Sequence, residues 1–196
     1  FDETAVELLQ ELDAPAFKIA SFEITDLPLI EYAASKCKPM FISTGMSDLN
    51  EIGEALECCY KNGNRDVLLF HCISNYPADL RSSHLGDISY LADHFKVEVG
   101  LSDHTTSNLA SVLAIANGAS AIEKHFKLDE KDCGPDASFS LLPAQLKSLC
   151  DDCESSFEAM KSNDLQRESN ELVNKKFRRS IYVSKSIKKG EKFSTN

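Results

Sequence analysis

Short apolar, β-prone runs alternate along this chain with longer amphipathic stretches. One face of a strand repeats every two residues and one face of a helix every 3.6. On that basis the pattern predicts strands over Phe17–Ser21, Met40–Thr44, Val67–Cys72, Val97–Ser102 and Ala121–Phe126. It predicts helices over Thr4–Leu12, Pro28–Lys36, Leu49–Asn62, Gly86–His94, Ser107–Asn117 and Pro143–Lys161. Terminal signals agree. Asp48, with Glu51 three residues on, reads as an N-cap with its capping-box partner. Gly63 and Gly118 follow helices where a left-handed residue is favoured.

Strands alternating with helices imply βαβ units on a parallel sheet. The predicted strands start about 23 to 30 residues apart, room for one helix per crossover. Five units are present, whereas a closed (β/α)8 TIM barrel needs eight. The opening helix reads as one that follows a strand outside this sequence. The expected fold is therefore α/β: the last five βα units of a TIM barrel, with three upstream. A five-stranded doubly wound sheet competes, although no Gly-x-Gly-x-x-Gly follows the first strand. Phe1 in place of an initiator methionine also suggests part of a longer protein. Residues 1–161 form the expected barrel portion. Residues 162–177 are polar and read as a linker. Residues 178–196 hold a β-like run, Arg178–Val183, and a turn at Lys188–Glu191, the expected start of a second small domain.

Net charge is −10, which argues against nucleic acid and anionic membranes as partners. No apolar run approaches 18 residues, so no membrane span is expected. The first twenty residues carry acids and a helical pattern rather than a signal peptide. Seven scattered cysteines suit free thiols in a reducing cytoplasm. Cys150-x-x-Cys153 has no second pair to complete a zinc site and reads as helix surface.

Each predicted strand ends in polar residues, at the rim where β/α barrels place their chemistry. The first supplies Lys18, Ser21 and Glu23, and the second Ser43-Thr44-Gly45-Met46. The third supplies His71, Ser74, Asn75 and Tyr76. The last two supply Ser102-Asp103-His104 and Glu123-Lys124-His125. Two imidazoles from neighbouring strands, with Asp103 and Glu123 beside them, suggest a divalent-metal site. Alternation puts Glu123 and His125 on one face and Lys124 on the other, among helices or in an ion pair. Ser102 and His104 share a face likewise. Lys18 falls opposite Ser21 and Glu23 unless the strand bulges or stops between them. Ser21, Ser43 and Ser74 could hold a phosphate with Lys18 as counter-charge, or could be serving turns and caps. Asp136 projects from the Gly134-Pro135 loop, for binding or for turn reasons. His94 reads as structural, late in a helix. His84 reads as loop surface, and His71 as less well placed than Ser74 and Tyr76.

Six segments then fall together: Lys18-Ile19-Ala20-Ser21-Phe22-Glu23, Ser43-Thr44-Gly45-Met46, Ser74-x-Tyr76-Pro77, Gly100-x-Ser102-Asp103-His104-Thr105, Glu123-Lys124-His125-Phe126 and Gly134-Pro135-Asp136. In this order they resemble the sialic acid synthase family, which makes nine-carbon 2-keto sugar acids (nonulosonates). The Ala-Ser-Phe-Glu form looks most like the bacterial pseudaminic and legionaminic acid synthases. The tail from Arg178 resembles the start of the antifreeze-like (SAF) domain that follows the barrel in that family.

The resemblance implies condensation of phosphoenolpyruvate with an open-chain N-acylated amino sugar and release of phosphate. It implies a divalent ion on His104 and His125, Mn²⁺ first and Mg²⁺ or Co²⁺ as alternatives, to polarise the aldehyde oxygen. It implies Lys18, Ser21, Ser43 and Ser74 on phosphoenolpyruvate, though relatives often carry Asn where Ser74 stands. Glu23, Tyr76 and Asp136 would contact sugar or metal-bound water, and Glu123 would sit at or next to the ion. Glu23, Glu123 and Asp136 are thus the expected catalytic carboxylates. A cytoplasmic homodimer is implied for the full-length protein. The 196-residue stretch alone is expected to be inactive and unstable, because an open barrel exposes sheet edge. Two alternatives stay open: another phosphoenolpyruvate-condensing or metal-dependent aldolase barrel, and a carbohydrate-binding relative without chemistry.

Overall fold

Five strands form one sheet, parallel throughout, in a computed structural model that describes residues 1–162, 164 and 166–192. They are β1 (Phe17–Ile19), β2 (Met40–Ser43), β3 (Val67–Cys72), β4 (Glu98–Asp103) and β5 (Ile122–Lys124), and the spatial order is the sequence order. The helices are α1 (Glu3–Glu11), α2 (Leu27–Ala34), α3 (Leu49–Lys61), α4 (Asp87–Phe95), α5 (Leu109–Ala116), α6 (Pro143–Met160) and the short α7 (Ser169–Leu172). The capping box closes as expected: Asp48 accepts from the Asn50 and Glu51 amides, and the Asp48 amide donates to Glu51. Gly63 and Gly118 take φ of +79° and +92° just past α3 and α5, a conformation that L side chains resist.

An order that never reverses has no switch point, which a doubly wound sheet requires. Curvature is the stronger evidence. Strands spaced about 4.8 Å apart would put β1 and β5 about 19 Å apart in a flat sheet. Yet Lys18 Nζ on β1 lies 3.1 Å from Glu123 Oε2 on β5. Two side chains cannot span that gap, so the sheet curls toward its own first strand. The five parallel strands make a curled half-barrel.

The two faces of the curl differ in content. Phe17, Ile19, Met40, Ile42, Leu69 and Val99 point outward and are almost wholly buried under the helices. Each contributes about 1.5–3 kcal/mol by leaving water. The concave face carries Lys18, Ser43, Phe41, Phe70, Ser102 and Glu123. Gly100 makes room there: a Cβ at that position would stand 2.7 Å from the Phe70 ring and 2.6 Å from the Ala121 carbonyl.

Several expected boundaries change. β1 stops at Ile19, and Ser21–Glu23 forms a 3-10 turn. That break removes the parity conflict, because Ser21 and Glu23 no longer follow strand alternation. β5 also stops early, at Lys124, and Phe126 makes an isolated bridge to Leu141. Contacts divide the chain into two units, Phe1–Met160 and Lys161–Asn196. In the second unit the expected linker carries α7 and a 3-10 turn at Val173–Phe177. The β-like run Arg178–Val183 is not a strand among the described residues, and a lone run without a partner has no ladder to join. Residues 163, 165 and 193–196, which fall in the expected linker and second domain, lie outside the described residues. No helix among the described residues is long and apolar enough to cross a membrane. The cysteines are free, Cys150 and Cys153 included.

Candidate active site

The carboxyl ends of the strands bring three groups of side chains together. The first is a polar chain across the concave face. Lys18 Nζ donates to Ser43 Oγ at 2.8 Å and to Glu123 Oε1 at 3.3 Å. Ser102 Oγ donates to the same Glu123 oxygen at 2.8 Å. Three strands therefore meet at one carboxylate, and the Lys18 ammonium links a fourth through Ser43. Lys18 and Glu123 are each about a third exposed, so the ammonium remains open to an anion from the rim.

The second group is a small cradle. Ser21 Oγ accepts from the Gly45 amide at 3.0 Å and lies 3.0 Å from Cys72 Sγ. Ser74 Oγ is 3.9 Å from the same sulfur. A Cβ at Gly45 would stand 2.2 Å from Ser74 Oγ and 2.8 Å from both Ser21 Oγ and Cys72 Sγ. Glycine is needed there for space alone, since its φ is ordinary. Gly45→Ala is expected to leave the melting temperature within a few degrees of wild type, because serine hydroxyls can rotate. It should raise the KM for a phosphate-bearing substrate at least about tenfold, since rotation removes the hydroxyls from their lining positions. Steady-state kinetics of the full-length variant checks this, and an unchanged KM would exclude the cradle as a binding surface.

The third group is aromatic and imidazole. His104 and His125 have ring centres 5.2 Å apart. Tyr76 packs edge-on against His104 at 4.4 Å, and Phe139 against His125 at 4.9 Å. Asp136 Oδ2 lies 3.5 Å from His125 Nδ1. Burial pushes the His104 imidazole below its ordinary value, and the neighbouring His125 adds to the effect. Burial likewise pushes the Tyr76 phenol up, with Cys72 the next contributor. Both rings stay neutral near pH 7.

These residues fit a divalent cation. His104 Nδ1 is buried with no hydrogen-bond partner, a state that costs about 1–3 kcal/mol unless something binds there. Metal–nitrogen bonds of about 2.1 Å place an ion about 3.2 Å from an imidazole centre. Rings 5.2 Å apart can therefore share one. A neutral imidazole is the ligating form. Among the described residues no third His, Cys, Asp or Glu joins them in a ligand group.

Asp103 does not belong to this group. Its carboxylate points to the helix side, where Lys124 Nζ meets Oδ2 at 2.8 Å. Strand alternation is the reason: residues 102 and 104 face inward, so 103 cannot. Lys124 makes the outward ion pair expected of it. His71 also points outward, its Nε2 2.8 Å from the Ser83 carbonyl oxygen. Glu23 sits on the 3-10 turn beside Ser21, with Oε2 buried and unpartnered. Four contributors were not singled out as site residues from sequence: Ser102, Gly45, Cys72 and Phe139. Ser102 carried a usable signal, since alternation already set it on the His104 face. Cys72 only ends a predicted strand, and nothing local in the sequence distinguishes it or Phe139.

The NeuB family profile matches residues 1–164. The chain belongs to the NeuB family. Its NeuB relatives include the N,N'-diacetyllegionaminic acid synthase of Campylobacter jejuni, 43% identical over 99% of this chain and 59% of that protein. The pseudaminic acid synthase of Helicobacter pylori is 39% identical over 100% of the chain and 58% of that protein. Among solved structures, the N-acetylneuraminic acid synthetase of Leptospira borgpetersenii, in complex with citrate, superposes with a TM-score of 0.83 at 29% identity. That match covers 91% of this chain and 62% of the other. The chain thus spans somewhat under three-fifths of the length of these curated NeuB relatives.

Proposed function

We propose that this chain carries the catalytic rim of a nonulosonate synthase. The reaction joins phosphoenolpyruvate to an open-chain N-acylated amino sugar, giving a nine-carbon 2-keto sugar acid and phosphate. The observation that carries this reading is the convergence of Lys18, Ser43, Ser102 and Glu123 on one concave mouth, beside the His104–His125 pair. The names of the relatives, legionaminic, pseudaminic and N-acetylneuraminic acid synthases, point the same way.

Phosphoenolpyruvate is an anion with several oxygen acceptors. Lys18 supplies its counter-charge, and Ser21, Ser43 and Ser74 supply hydroxyl donors. His104 and His125 would hold a divalent ion, Mn²⁺ or alternatively Mg²⁺ or Co²⁺. When bound, such an ion supplies Lewis acidity toward a carbonyl oxygen. Tyr76 and Asp136 line the acceptor side. The substrates are aligned so that C3 of phosphoenolpyruvate attacks the aldehyde carbon. The new carbon–carbon bond takes the enol electron pair, breaks the carbonyl π bond to leave the aldehyde oxygen an alkoxide, and leaves C2 cationic. Glu23 and Glu123 stabilise that charge as carboxylates. Water adds to C2, and the proton it gives up passes to the alkoxide. The adduct then breaks its C2–O bond to phosphate, the departing phosphate takes the C2 hydroxyl proton, and the 2-keto acid is left. In full length the same reading has residues 1–161 supply the last five βα units of a (β/α)8 barrel, followed by a connection at 162–177 and an SAF domain beginning at 178–196. It has the protein act as a cytoplasmic homodimer.

The test uses full-length protein with phosphoenolpyruvate, Mn²⁺ and a panel of N-acyl amino sugars beside erythrose 4-phosphate. Metal-dependent phosphate release is expected with an N-acyl sugar. Turnover only with erythrose 4-phosphate would move the chain to a heptulosonate-type synthase, and no turnover with any acceptor would favour a non-catalytic relative. Phosphoenolpyruvate labelled with ¹⁸O at the bridging oxygen should deliver the label to phosphate. Label retained in the keto acid contradicts C–O cleavage.

A further inference from the structure

Asp103 and Lys124 are directly opposite each other in the β4–β5 register. Their side chains leave the sheet on the helix side and are 1% and 2% exposed. Neither takes part in the reaction derived above. A buried ion pair is weak grounds for stability, because apolar residues of similar volume often replace one without loss. What the pair does hold is backbone at the rim.

Asp103 Oδ1 accepts from the Thr105 amide at 2.8 Å and closes a turn across His104. Lys124 Nζ donates to the Thr105 carbonyl at 2.6 Å. Both polar groups of the Thr105 backbone are thus held by the pair. Ser111 on α5 donates to Asp103 Oδ2 at 2.7 Å and ties the carboxylate to the helix layer. His104 lies between the two clamped residues, and His125 directly follows Lys124. The His104 and His125 carbonyls are fixed from other sides, by the Ala78 amide at 2.9 Å and the Leu141 amide at 2.8 Å. One ion pair therefore joins the stretches that carry the two imidazoles, and it joins them from the face opposite the rings.

We propose that the buried Asp103–Lys124 pair, braced by Ser111, is a positioning device that sets the spacing and direction of His104 and His125 for capture of a divalent ion. The proposal rests on the metal reading of those histidines. Asp103, Lys124 and Ser111 touch neither ion nor substrate; they act through the backbone at 103–105 and 124–125.

The experiment uses full-length protein and the metal alone. Three readouts are taken: Mn²⁺ affinity by titration of metal-free protein, the visible spectrum of the Co²⁺-loaded form, and thermal unfolding without metal. The key variant is the double substitution Asp103→Leu with Lys124→Met, which removes the clamp but leaves no charge buried alone. Its melting temperature is expected to fall, because the Thr105 amide and carbonyl and the Ser111 hydroxyl lose their partners, but the metal-free protein should still unfold in one cooperative transition. Its Mn²⁺ affinity should fall about 10- to 100-fold, the size seen when the support of a ligand is lost, and its Co²⁺ bands should shift. Ser111→Ala, a single lost hydrogen bond, should weaken Mn²⁺ about threefold in a well-folded protein. A folded double variant with wild-type affinity and spectrum would overturn the proposal. If the double variant does not fold, Ser111→Ala decides, and unchanged metal binding there overturns it. Wild-type protein that binds neither Mn²⁺ nor Co²⁺ sinks the metal reading itself. Wild-type binding with indifferent variants sinks only the positioning role.

Discussion

His104→Ala in the full-length protein is expected to abolish metal-dependent condensation while leaving the metal-free fold nearly as stable as wild type. Most core substitutions do the reverse. His104 Nδ1 is buried without a partner, so removing the ring returns the cost of that orphaned nitrogen. Against this stands the lost packing with Tyr76, whose ring centre is 4.4 Å away. The two effects oppose each other, and a net change of about 1 kcal/mol or less follows. Acid should sharpen the contrast. Burial holds the folded imidazole below its ordinary value of 6.5. Below pH 6.5 the unfolded chain takes up a proton that the folded chain refuses, so metal-free wild-type protein loses stability as pH falls. The alanine variant lacks that component and should gain on wild type under acid. Thermal unfolding of both proteins between about pH 7.5 and 5.5 (about one unit either side of the unfolded value), with a parallel activity assay, makes the check. An active variant, or one that melts far below wild type at neutral pH, would remove His104 from the site.

Lys18→Met is expected to lower kcat/KM for phosphoenolpyruvate by about 10²–10³, equivalent to ~3–4 kcal/mol. In the free protein the Lys18–Glu123 pair is about a third exposed, and such pairs contribute about 1 kcal/mol or less to stability. Bound substrate changes the balance. Hydrogen bonds from an ammonium to an anion in a site closed to water are each worth about 1.5–3 kcal/mol. The nearby Lys124 cannot substitute, because it is committed to Asp103 on the other face. The loss should fall mainly on the KM for phosphoenolpyruvate, with the acceptor's KM little changed and the melting temperature within a few degrees of wild type. Kinetics with each substrate varied in turn separates the two. An unaltered phosphoenolpyruvate KM would mean that Lys18 serves the fold rather than the substrate.

Alternation at a period of two carried much of the site before any coordinates. It put Glu123 with His125 and Ser102 with His104, and it sent Lys124 outward into an ion pair. The same rule excluded Asp103 from the metal group. Reading it as a neighbour of His104 mistook closeness in sequence for closeness of side chains. Ser102 was missed for the opposite reason: its parity was right, but its partner Glu123 sits on another strand 21 residues away. Parity also failed at Lys18, because the change from strand to 3-10 turn after Ile19 has no proline or glycine to announce it.

The sequence by itself determined the five strands, the helices between them, their caps and the strand ends where polar residues collect. Those features follow from local periodicity and backbone preference, which short stretches of chain express on their own. Only the tertiary structure decided that the sheet curls, that Lys18 on the first strand meets Glu123 on the fifth, and that Ser21, Gly45, Cys72 and Ser74 close one cradle. Curvature comes from packing the helix layer against the whole outer face, with Gly100 admitting Phe70 on the inner one. It is a property of all five strands together, and no single stretch encodes it.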